Sequence, residues 1–161
     1  MRWDQLDIQA ATWTLETTKA RRGHVVPLSP LAIDVLAALS RKASRYVFTT
    51  SGETPISGFS KAKARLDQVI AKESRGEALT AWTIHDLRRT CATTMGRLGV
   101  SRFIIGKVLN HADRSVTGIY DRFAYLQEKR HALESWARHL SALVTPTSRN
   151  VVAIRTLVTS Q

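Results

Sequence analysis

The stretch TIHDLRRTCATTMGRLG, residues 83–99, decides how the rest of the chain is read. Thr83 is a residue of the N-cap type, and Gly99 stands where a helix ends on a left-handed residue, so the spacing predicts a helix over about residues 84–98. His85 and Arg88 are three apart at its start and share one face. An arginine fork matches two oxygens of a phosphate, and a histidine beside it can donate a hydrogen bond or take a proton near neutral pH. An ordinary amphipathic helix with Leu87 facing inward reads the same residues equally well.

Upstream of that helix, residues 6–17 mix alternation with β-branched and aromatic residues, and HVVPL at 24–28 reads as a second strand, so a hairpin with Lys19 near its tip is expected. Ser29-Pro30 starts a helix running to about residue 42, YVFTT at 46–50 reads as a short strand, and Lys61 to Lys72 as a helix with Leu66, Val69 and Ile70 on one face. Residues 74–82 read as a loop. Downstream, Ser101 caps a helix to Leu109, and Asn110-His111-Ala112-Asp113 breaks it. A short helix at 115–122 and a longer amphipathic one at 124–143 follow. The sum is an α+β domain, mostly helical, with a small N-terminal β-hairpin or sheet packed on a helical bundle. It divides into a domain at 1–144 and, at 145–161, a polar linker with a strand-like tail, VVAIRTLV.

Composition narrows the partners. The chain has 161 residues and 24 Lys plus Arg against 13 Asp plus Glu, a formal charge of +11, which suits a phosphate backbone. Its cations are scattered (Lys19, Arg21 and Arg22; Lys61, Lys63 and Arg65; Arg88 and Arg89), as on a broad folded footprint. For any one cluster, a solvated basic surface is the plainer reading. No apolar run is long enough to span a membrane and no signal peptide is evident, so a cytoplasmic protein is expected. The lone Cys91 excludes an intrachain disulfide and reads as a small apolar residue inside the helix. His131 and His139 are eight apart, roughly 12 Å along a helix, too far to share a metal ion.

Taken together, Thr18-Lys19 before HVVPL, HDLRRT with His85 and Arg88, Leu109-Asn110-His111, and Tyr120 nine residues after His111 resemble the tyrosine recombinase family of the phage integrase type. The resemblance covers about residues 3–140, including Trp3 to Ile8, which is similar to the end of the family's W-x-D-[IV]-D stretch. It implies the family's catalytic domain and double-stranded DNA as partner, with no cofactor and no metal. Site-specific recombination would proceed through a 3′-phosphotyrosine on Tyr120. His85 would be the base, Arg88 and His111 would hold the phosphate, and Lys19 would act as general acid. Arg21, Arg22, Arg89, Lys61 and Lys63 would contact DNA; the tail would either link protomers on it or, in the isolated chain, fold back on its own domain or stay disordered.

The resemblance also implies a first catalytic arginine, and an N-terminal helical domain, upstream of Met1. Arg2 stands in the wrong place to replace that arginine, so this chain is expected to be weak or inactive alone. Asn110 replaces the glycine of the family's L-G-H motif, and asparagine tolerates left-handed backbone better than other non-glycine residues. A non-catalytic DNA-binding remnant and a type IB topoisomerase-like enzyme are the alternatives. An RNA-binding protein would account for the charge and leave the five residues unexplained.

Overall fold

The computed structural model describes residues 1–18, 23–39, 44–74, 80–111 and 124–145. A short 3₁₀ turn, Trp3–Gln5, leads into a three-stranded antiparallel sheet, β1 (Leu6–Asp7), β2 (Thr12–Leu15) and β3 (His24–Pro27), in that spatial order. Leu6 pairs with Trp13, Trp13 with Val26, and Leu15 with His24. The single strand expected over 6–17 is therefore two strands. The Asp7 carboxylate accepts the Ala10 N–H at 2.8 Å and Ala11 takes φ 49°, which folds the chain back on itself.

Ser29 accepts the Ala32 N–H at 3.3 Å and Pro30 occupies the first turn of α1 (Pro30–Ala37). This helix stops well short of residue 42. The strand expected at 46–50 is also absent. Tyr46 forms one isolated bridge with Arg2, flanked by Trp3 N–H to Arg45 O and Val47 N–H to Met1 O, so the segment seals the N-terminus without a ladder. Leu28, Leu36 and Val47 are buried there, with Trp3, Leu6, Trp13 and Ile33 packed around them.

Helices α2 (Phe59–Glu73), α3 (Ile84–Arg97), α4 (Arg102–Val108) and α5 (Leu126–Val144) complete the described elements. On α2, Leu66 and Val69 do share a face, but it is exposed. The helix is tied instead through polar groups: Trp82 donates its indole N–H to Asp67 at 3.0 Å, and Lys63 pairs with the same carboxylate at 2.6 Å while lying 4.6 Å above the Trp82 ring. α5 packs against β3, α1, α3 and α4. Ala132 and Ala137 on α5 and Met95 on α3 are buried. Two cations of α5 stitch it to the sheet: Lys129 Nζ donates to Val25 O at 2.6 Å, and Arg130 donates to Ala10 O at 3.0 Å. The mixed architecture, a small antiparallel sheet against helices, is the α+β fold expected from the sequence.

Candidate functional site

The first turn of α3 is built by a capping box. Asp86 accepts both the Thr83 N–H and the Thr83 hydroxyl at 2.8 Å, and these bonds, with Arg89 at 3.2 Å, hold its carboxyl below its ordinary pKa. Asp86 thereby fixes the turn that carries His85 and Arg88, and both of those side chains are exposed. Leu87 is 58% exposed, so the amphipathic alternative with Leu87 inward does not hold. Cys91, further along, is half-buried, and burial pushes its thiol pKa up.

The end of α4 supplies the next piece. Asn110 takes φ 54°, its N–H bonds Lys107 O at 3.3 Å, and the His111 N–H bonds Gly106 O at 2.9 Å. This is a Schellman turn with asparagine at the left-handed position, and it projects His111 outward. Gly99, at φ 86°, closes α3 in the same way.

Two side-chain hydrogen bonds then join three segments distant in sequence. Arg88 donates one of its guanidinium N–H groups to Leu109 O, across 21 residues. Asn110 Nδ2 donates to Thr18 Oγ1 at 3.1 Å, across 92 residues. The HDLRRT helix, the L-N-H turn and the residue preceding Lys19 therefore meet. Arg88 keeps further N–H donors for a ligand, beside an α-helix N-terminus, where anions bind favourably.

Tyr125, at φ 50°, sets its ring edge-on against Phe103 of α4 with centroids 5.0 Å apart, and Lys107 Nζ lies 5.1 Å from the Tyr125 ring. Tyr120, Lys19, Arg21, Arg22, the short helix expected at 115–122 and the tail from 146 lie outside the described residues. Of the other cations expected to contact DNA, Lys61 is exposed on α2, Lys63 is engaged with Asp67 and Trp82, and Arg89 pairs with Asp86 while staying exposed. The contributions of Thr18, Asn110 and Tyr125 to the architecture were not anticipated as side-chain contacts. Only the Thr18-Lys19 pair and the Asn-for-Gly change hinted at them. Among the described residues, no three His, Cys, Asp or Glu side chains gather as a metal site requires, and no helix is long and apolar enough to cross a membrane.

The segments brought together here carry the motifs of one protein family. The phage integrase family model matches residues 1–126, and the chain belongs to that family, the tyrosine recombinases. It is 30% identical over 149 residues to the prophage integrase IntZ of Escherichia coli (strain K12), covering 89% of this chain and 35% of that protein. It is 28% identical over 153 residues to the integrase of Shigella phage Sf6, covering 89% of this chain and 37% of that protein. The chain thus spans about a third of the length of these curated relatives. No solved structure matches it.

Proposed function

We propose that this chain carries the strand-cleaving and rejoining chemistry of a site-specific DNA recombinase. The observation that carries the reading is the convergence of Arg88, the Leu109-Asn110-His111 turn and Thr18 through two long-range hydrogen bonds. The integrase names of the relatives support it.

In this reading the Tyr120 oxygen bonds to phosphorus, its phenolic proton passes to His85, and the bond from phosphorus to the 5′-oxygen breaks. Lys19 gives that oxygen its proton, leaving a 3′-phosphotyrosine and a 5′-hydroxyl. A free tyrosine has a pKa near 10 and is a weak nucleophile at neutral pH, so a base and nearby cations are needed. Arg88 and His111 hold the phosphate as charge builds on its oxygens. The phosphodiester energy stays in the tyrosyl bond, so a second 5′-hydroxyl can reseal the strand without a nucleoside triphosphate.

The family's first catalytic arginine has no counterpart within residues 1–161, and one fixed donor to a transition-state charge is worth roughly 3–4 kcal/mol. Residues 1–161 taken alone are accordingly proposed to be weak or inactive in strand cleavage, and a cytoplasmic setting belongs to the same reading. Incubated with a nicked duplex bearing the host element's attachment sequence, the chain should form a DNA adduct on a denaturing gel, and Tyr120→Phe should form none. Extension upstream through the missing arginine should speed adduct formation about a hundredfold or more. DNA binding with no Tyr120-dependent adduct from either chain would favour the non-catalytic remnant, and relaxation of supercoiled plasmid without strand exchange the topoisomerase.

The tail at 145–161 is proposed to dock on a neighbouring protomer on DNA. An apolar groove of about 440 Å³ lined by Trp13, Leu28, Leu36, Phe48, Trp136 and Leu140 has the chemistry to receive such a strand. Deleting 146–161 should abolish higher-order complexes on DNA in native gels and leave single-site binding unchanged; unchanged assembly contradicts the docking.

A further inference from the structure

We infer that Asn110 and Thr18 are positioning residues that clamp the arm carrying Lys19 to the turn carrying His111. The inference rests on the catalytic reading of Lys19 above and adds to it the device that sets the arm's place. Asn110 does two jobs. Its backbone occupies the left-handed position of the turn, at φ 54°, which glycine would fill with less strain. Its side-chain amide donates to Thr18 Oγ1 at 3.1 Å, which glycine cannot do.

The two residues joined are the immediate neighbours of the proposed acid and of the phosphate-binding histidine. Both are partly buried, so the bond is shielded from competing water. The turn they fix is held to α3 by Arg88 on Leu109 O, one residue before Asn110. The residue that precedes Lys19 is therefore tied, through Asn110, to the turn that carries His111. A general acid must lie within hydrogen-bond reach of the oxygen it protonates, so loosening the clamp should slow proton delivery to the leaving group and spare attack by the tyrosine.

The test joins a double-mutant cycle to a change of leaving group. Asn110→Gly keeps the turn and Thr18→Val keeps the β-branched shape, and each removes one partner. In urea unfolding the two should couple by about fivefold in the folding equilibrium constant, the worth of a neutral hydrogen bond, and Thr18→Ser should restore the wild-type value. Adduct formation is then compared on duplexes whose scissile phosphate carries either oxygen or sulfur at the 5′-bridge. Sulfur departs as a thiolate and needs no proton.

Lys19→Ala should lose about a hundredfold on oxygen and little on sulfur, which reads the Lys19 assignment itself. Asn110→Gly and Thr18→Val should lose about tenfold on oxygen and be rescued on sulfur. Equal slowing of the two clamp variants on both substrates, or none, overturns the positioning role while Lys19 keeps its own. Equal slowing of Lys19→Ala on both, or no adduct from the wild-type chain on either, removes the assignment and the inference with it. Additive unfolding costs would show that the bond does not form.

Discussion

Arg88→Ala is expected to slow formation of the covalent adduct about a hundred- to a thousandfold while leaving thermal stability nearly unchanged. The guanidinium is exposed, so its removal opens no cavity; the bond to Leu109 O is a surface bond whose loss costs about 1 kcal/mol or less. On the proposed reading, what is lost is a planar fork for the phosphate oxygens on which charge grows. Arg88→Lys should recover little of the rate, because an ammonium is a compact point charge without the planar fork that grips two phosphate oxygens side by side. Single-turnover adduct assays beside melting curves check this. A variant within tenfold of wild type would remove Arg88 from the chemistry, and a large fall in melting temperature would mark it as structural.

The second large effect concerns stability. Lys129→Ala should destabilise the fold by about 2–4 kcal/mol, since Lys129 is only 4% exposed and its ammonium satisfies Val25 O on the strand following the Lys19 arm. Truncation leaves both a cavity and an unmet carbonyl. Lys129→Met keeps the stem and should cost about 1 kcal/mol.

The same residue predicts a pH dependence. Burial, and then the charge of Lys107, hold the Lys129 pKa below its ordinary 10.5. Because the folded pKa is the lower one, the unfolded chain binds more protons between the two values. Stability contributed by Lys129 therefore rises with pH from the depressed value up to about 10.5, and is smallest below it. Urea unfolding of wild type against Lys129→Met across that range checks it. The wild type should gain relative to the variant as pH rises; a constant difference would contradict the buried charge.

The helix starts and stops that frame the site were legible because they are local. Thr83 with Asp86, Ser29-Pro30 and Gly99 each satisfy backbone groups within a few residues, and Asn110 sits where left-handed backbone is needed. The misread elements failed where a side chain or a distant segment redirected the backbone. Asp7 turned one expected strand into two, and residues 46–50 met only the chain's first residues rather than a strand. The alternative reading that turned Leu87 inward failed because the residue lies exposed on α3. The contacts that assemble the site were invisible for a plainer reason. Arg88 to Leu109, Asn110 to Thr18 and Lys129 to Val25 span 21, 92 and 104 residues, and no periodicity encodes a pair at such separations. Lys19 and Tyr120 rest on motif order alone, since both lie outside the described residues.

The account turns on Tyr120 as the nucleophile, and mapping the adduct tests this most directly. After reaction with the nicked attachment-site duplex, nuclease trimming and trypsin digestion, mass spectrometry should find a 3′-phosphonucleotide on the peptide SVTGIYDR, residues 115–122, at Tyr120. A nucleotide on any other residue, or an unmodified peptide beside a genuine covalent complex, would contradict it.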